Sequence, residues 1–103
     1  MSKVKKAKVA KQPRTITVDV TPINAFSPKT AQEAIRPAFR AKPSYQRLIF
    51  VTPRGRINVG REANKGATAK WFLQDEHNKG FEGTKEAVRL EVGERISMAH
   101  RIK

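Results

Sequence analysis

GTKEAVRLEVGERISMAHRIK, residues 83–103, decides the fold, because it admits two readings with different architectures. As a helix it gathers Val88, Val92, Ile96, Ala99 and Ile102 on one stripe. That stripe also holds Glu91 and Arg95, leaves Leu90 on the opposite side and carries Gly93 inside. As a hairpin turning at Gly93-Glu94-Arg95, the same residues set Val92 beside Ile96, Leu90 beside Met98 and Val88 beside His100. The other face then pairs Glu91 with Ser97 and Arg89 with Ala99. A one-residue slip would invert the faces of a strand, so this segregation favours the hairpin. Its outer strand would offer an exposed edge that a second copy of the chain could extend.

Working back from this segment, ATAKWFLQDEH (67–77) reads as a helix. Ala67 and Trp71, with Phe72 and Gln74, follow three-to-four spacing, and Asn78 to Gly80 end it. Trp71 and Phe72 are expected in the core. YQRLIFVT (45–52) is rich in β-formers and reads as a buried strand. Pro53-Arg54-Gly55-Arg56 is a turn signal, and Ile57-Asn58-Val59 resumes the alternation, which makes a hairpin with basic residues at its tip. TITVDVT (15–21) alternates β-branched and polar residues and reads as a half-buried strand. Ser27 or Thr30 caps a short helix expected to stop near Arg36, because Pro37 disfavours the α conformation at the residue before it. The resulting fold class is α+β. A small single domain, 15–103, has antiparallel hairpins packed on one main helix (about 67–78), behind a disordered basic N-terminal arm, 1–14.

The chain has 103 residues, 38% of them hydrophobic, and no cysteine. It therefore has no disulfide framework, thiolate metal site or cysteine nucleophile. No run approaches the roughly 20 apolar residues of a membrane span, and Met1-Ser2 lacks the glycine needed for myristoylation. A cytoplasmic location is expected, associated with the nucleoid if the ligand is DNA.

The formal net charge is +13, and its distribution is uneven. Residues 1–14 carry six basic and no acidic side chains, and residues 44–70 carry six basic groups against Glu62 alone. Residues 71–103 carry six of each sign and are neutral. Such asymmetry suggests a polyanionic partner facing the basic part. Lys3, Lys5, Lys6, Lys8, Lys11 and Arg14 would neutralise phosphates without geometric demands. Arg47, Arg61, Lys65 and Lys70 extend that surface where the fold turns them outward, as would Arg40 and Lys42.

Pro53-Arg54-Gly55-Arg56 resembles the Pro-Arg-Gly-Arg core of AT-hook elements. The resemblance spans four residues, and Ile57 stands where a second proline normally follows. It implies that Arg54 and Arg56 flank a glycine, Gly55, that lets the backbone approach the floor of an A·T-rich minor groove. A general phosphate contact or a plain turn are the other readings of the same residues.

Asp75-Glu76-His77 offers only adjacent side chains, which point about 100° apart on a helix, and reads as a solvated helix end rather than a metal site. Ser27, Ser44 and Ser97 lie in no nucleophile motif, and no glycine-rich phosphate loop is present. No cofactor or metal is expected. The function expected is non-enzymatic binding of nucleic acid, duplex DNA ahead of RNA, in a regulatory or architectural role. An accessory protein of a phage or other mobile element would fit the same description. An RNA-binding ribonucleoprotein component, or an inhibitor or adaptor of an acidic partner protein, is the alternative. Homodimerisation is a further option.

Overall fold

The tail is a helix. In the computed structural model, which describes residues 14–40, 45–62, 65 and 68–101, a 17-residue helix α2 (Lys85–Arg101) lies against the other helix, α1 (Pro28–Phe39). Five strands, β1 (Arg14–Asp19), β2 (Tyr45–Thr52), β3 (Gly55–Arg61), β4 (Trp71–Asp75) and β5 (Gly80–Gly83), form one sheet in the order β1-β2-β3-β4-β5. β1 and β2 are parallel neighbours joined through α1, and the remaining pairs are antiparallel. The sheet is thus mixed, and the molecule is a small compact single domain of two layers.

Two expectations give way. The main helix is not at 67–78: Trp71–Asp75 is a strand that pairs with both β3 and β5. Within WFLQD, Trp71 and Leu73 turn to the helices and Phe72 and Gln74 turn away, a period of two that the three-to-four spacing of Ala67 and Trp71 concealed. The hairpin expected at 84–102 is replaced by α2, so the exposed edge expected there for self-association does not exist. The sheet's edges are β1 and β5.

Side-chain partners explain why the helix wins. Glu91 and Arg95, the polar pair on the apolar stripe, bond to each other one turn apart at 2.9 Å, and Arg95 reaches on to Asp75 at 3.2 Å. Gly93 faces α1 with no side chain between: a Cβ there would overlap the Gln32 carboxamide, whose Cδ would lie 2.7 Å away. Gln32 fills that space, donating to the carbonyls of Arg89 at 3.0 Å and Leu90 at 3.2 Å and accepting from Arg89 Nη1 at 2.9 Å. Thr84 caps the helix start, accepting from the Ala87 amide at 3.1 Å. Gly93 is therefore a helix-packing glycine, not a turn.

α1 begins as expected, with Ser27 accepting from the Thr30 amide at 3.2 Å and Pro28 in the first turn. It runs through Pro37 to Phe39 rather than stopping near Arg36. Phe39 is the reason, since it stacks on Phe50 with ring centroids 5.8 Å apart and on Trp71 at 5.7 Å. Aromatic burial of that kind offsets the loss of one hydrogen bond in a last turn.

The core lies between the helices and one face of the sheet. It comprises Leu48 and Phe50, Ile57 and Val59, Leu73, then Ile35 of α1 and Val88, Val92 and Ile96 of α2. His100 is buried beside it, its ring nitrogens each 2.9 Å from a carbonyl oxygen, Ile96 for Nδ1 and Val20 for Nε2. Among the described residues no helix is long and apolar enough to cross a membrane.

Candidate nucleic-acid interface

Both helices pack on the same face, so the sheet presents its other face outward. Strand register sets the side chains of that face in rows. Thr15, Arg47, Gly60, Phe72 and Glu82 pair successively across all five strands. Thr17, Ile49, Asn58, Gln74 and Gly80 form the next row, and Asp19, Val51 and Arg56 the third. Arg47, Arg56, Asn58, Phe72 and Gln74 are exposed, and a shallow depression runs over Gly60 between Arg47 and Phe72. Lys70 joins this face and pairs with Glu82 at 3.2 Å. Both partners are more than half exposed, so the pair contributes little and Lys70 can exchange it for another anion.

The topology also gives the molecule two unlike ends. At one end β1 and β2 begin, β3 finishes and β4 begins, α1 finishes and α2 begins. Arg47, Arg61, Lys65 and Lys70 lie there, at the end opposite the turn at 53–56 and not all on one face of the sheet. So do Arg36, Arg40, Lys85 and Arg89, of which only Arg40 stands out in the sequence as a candidate. Arg36 and Arg40 are exposed and make no ion pair with a described residue. Arg61 turns to the helix side, its guanidinium 6.0 Å from the Trp71 ring centre, while Lys85 Nζ lies 5.9 Å from the same ring. The backbone of Arg14 opens β1 at this end. Lys3, Lys5, Lys6, Lys8 and Lys11 lie outside the described residues.

Arg54, Gly55 and Arg56 sit at the opposite end, so the structure does not bring the whole expected set together. Pro53 and Arg54 form the loop, and Gly55 follows with φ of 114°, a conformation few residues other than glycine adopt. Thr52 holds the turn from inside, accepting from the Arg54 amide at 3.0 Å and donating to the Gly55 carbonyl at 2.7 Å. The space left free by Gly55 is taken by the Glu76 carboxylate, which a Cβ on residue 55 would overlap. The motif is therefore a braced hairpin rather than an extended hook. By alternation Arg56 turns onto the open face of the sheet, whereas Arg54 stays at the tip.

Asp75-Glu76-His77 is not a helix end. It makes the β4–β5 turn, which Asn78 completes at φ of 60°. Asp75 Oδ1 accepts from the backbone amides of His77 at 2.9 Å and Lys79 at 3.0 Å, and Oδ2 faces Arg95. Burial pushes the Asp75 carboxyl upward, but those two amides and the Arg95 guanidinium outweigh it and hold the group below the ordinary carboxylate value. A cleft of about 410 Å³ lies between this turn, the hairpin tip and α2. Its charges are internally paired in part, Asp75 with Arg95, and among the described residues no group of His, Cys, Asp or Glu could hold a metal ion.

Comparison of the chain with protein-family models, curated proteins and solved structures finds no match.

Proposed function

We propose that this chain is a non-enzymatic nucleic-acid-binding protein, and that its ligand is duplex DNA held against the open face of the sheet. The observation that carries this reading is the spacing of Arg47 and Arg56 on that face. They are four residues apart along the strand direction and on neighbouring strands. At about 3.3 Å per residue and 4.8 Å between strands, their backbones stand roughly 14 Å apart. That is close to the roughly 12 Å width of the DNA major groove. Each arginine then meets the phosphates of one strand, and the row between them faces the groove floor. Asn58 and Gln74, adjacent in that row, are amides of the kind that pair with adenine edges, and Ile49 beside them suits a thymine methyl. The deep, narrow major groove of duplex RNA offers no base edges to side chains placed this way. Among the described residues Phe72 is the one exposed aromatic on this face, too little for a single-strand stacking platform.

Lys65 and Lys70 add phosphate contacts at one end and Arg54 adds one at the other, and the lysines of residues 1–14 add charge for further contacts. A regulator or an architectural protein would both use such a surface. The test is a competition experiment with the full chain, in which a labelled DNA duplex is displaced by unlabelled DNA duplex, RNA duplex or single strands at equal nucleotide concentration. DNA duplex is expected to compete best, and Arg47→Gln/Arg56→Gln to weaken all duplex binding. Asn58→Ala is expected to lower discrimination between DNA sequences more than affinity. Equal competition by every polyanion would refute the groove reading. Absence of nucleic-acid binding at about 50 mM salt, where non-specific electrostatics are still strong, would point to an acidic protein partner instead.

A further inference from the structure

The open face leaves one group of cations unused, and it lies on the far side of the sheet. Where α1 finishes and α2 begins, a cleft of about 310 Å³ is lined by Arg36, Phe39, Arg40, Lys85, Glu86 and Arg89. Four of the six carry positive charge. The one carboxylate, Glu86, is already engaged by Arg89. Arg36 and Arg40 face no carboxylate partner among the described residues.

Folding alone does not call for this arrangement. Arg36, in the last turn of α1, suits the negative end of that helix, and Arg40 closes the helix with its backbone amide rather than its side chain. Arg89 is held by Gln32 and Glu86 and Lys85 lies beside the Trp71 ring, so the charge of the cleft that no partner among the described residues answers rests with the side chains of Arg36 and Arg40. The first turn of α2 adds further positive potential. Thr84 satisfies the Ala87 and Val88 amides and leaves those of Lys85 and Glu86 without an acceptor among the described residues. Phe39, with the Trp71 ring stacked on it, supplies an apolar wall, which strengthens any ionic contact made beside it.

We infer that this cleft is an anion site that takes a phosphate group. The planar guanidinium groups of Arg36 and Arg40 supply paired donors for two of its oxygens, and Lys85 supplies a point charge. Its assignment to a phosphate of a nucleic-acid backbone rests on the function proposed above. The cleft and the open face look in opposite directions from one end of the molecule. Occupying both requires a duplex bent around that end, or two separate segments, which is architectural rather than purely sequence-reading behaviour.

Trp71 is the only tryptophan of the chain and lies within 5.9 Å of the Lys85 ammonium, so its fluorescence reports on this cleft. The full chain is titrated with inorganic phosphate at constant ionic strength, and separately with a short DNA duplex. A saturable change in Trp71 emission with phosphate is expected, and it disappears in Arg36→Gln/Arg40→Gln. The log–log salt slope for duplex binding should become shallower by about 1 in that variant, the contribution of one bound phosphate. Circular dichroism confirms that the variant is folded, and Arg40→Lys, which keeps the charge but not the fork, should restore only part of the response. A wild-type response unchanged in the variant, or no response to phosphate, overturns the site. Duplex binding with an unaltered slope overturns the assignment to a backbone phosphate while leaving the open-face reading standing. A phosphate response without duplex binding supports the site and removes the nucleic-acid reading.

Discussion

Replacing Gly93 by alanine gives opposite results in two backgrounds. In an ordinary helix interior the change is stabilising by about 1 kcal/mol, because glycine loses more backbone entropy on folding. Here the new Cβ would sit 2.7 Å from Gln32 Cδ and 3.1 Å from its Cγ, so the carboxamide must leave. It would forfeit its bonds to the Arg89 and Leu90 carbonyls and to the Arg89 guanidinium. The two carbonyls lie inside α2, within reach of its ladder amides, so the low end of the scale applies to them, about 0.5 kcal/mol each; the charged bond is worth about 1.5 kcal/mol. Set against the propensity gain, Gly93→Ala is expected to destabilise by roughly 1–2 kcal/mol, a fall of several degrees in Tm at this size. In Gln32→Ala the obstruction is gone, and the same substitution should stabilise by about 0.5–1 kcal/mol. Urea unfolding of the four variants followed by far-UV circular dichroism measures the cycle. Stabilisation in both backgrounds would refute the close approach of α1 to α2 at Gly93, and with it the explanation of why the tail is helical.

The Asp75 carboxyl is held below its ordinary value in the folded chain, so its contribution is present above about pH 4, the unfolded range, and disappears as pH falls through the folded value. Asp75→Asn should lower stability near neutrality by about 1–2 kcal/mol and flatten the loss of stability on acidification, as read from denaturant midpoints across pH. Gly55→Ala, which forces a side chain into φ of 114° and displaces Glu76, should cost about 1–3 kcal/mol in the same assay. Thr52→Val removes both hydrogen bonds bracing the turn, at 2.7 and 3.0 Å, and should lower stability by about 1–2 kcal/mol. It should leave the salt slope of duplex binding unchanged, because Thr52 is buried and neutral.

What could be read from the residues depended on whether the deciding interactions were local. The strands at 15–21, 45–52 and 57–59 announce themselves by alternation and β-branching, and all three are present. The Pro53 to Arg56 turn follows from proline and glycine chemistry alone. The parallel pairing of β1 with β2 has no such local signature, and it changes an all-antiparallel sheet into a mixed one. Gly93 misled because its partner, Gln32, is 61 positions away in the chain, and Glu91 with Arg95 misled because their value lies in the bond to Asp75. At the candidate interface, Arg47 and Lys70 were legible from charge. Arg36, Arg40 and Lys85 were not grouped, since only the meeting of two helix ends puts them in one cleft. Asn58 and Gln74 gain meaning only from their cross-strand pairing.

Neutralising charge at each end of the molecule and measuring the salt dependence of duplex binding tests the account most directly. Arg47→Gln/Lys65→Gln removes two cations from the end where both helices and the β1 start converge, whereas Lys29→Gln/Arg101→Gln removes two from the opposite end on the helix side. Every phosphate that the protein no longer neutralises should reduce the log–log slope by about 0.9. A slope shallower by roughly 2 in the first variant and unchanged in the second is the predicted result. Equal slopes in both variants, or a wild-type chain whose duplex binding does not depend on salt, would contradict the claim that nucleic acid is held on the open face and the end that Arg47 and Lys65 share, and not on the helix side.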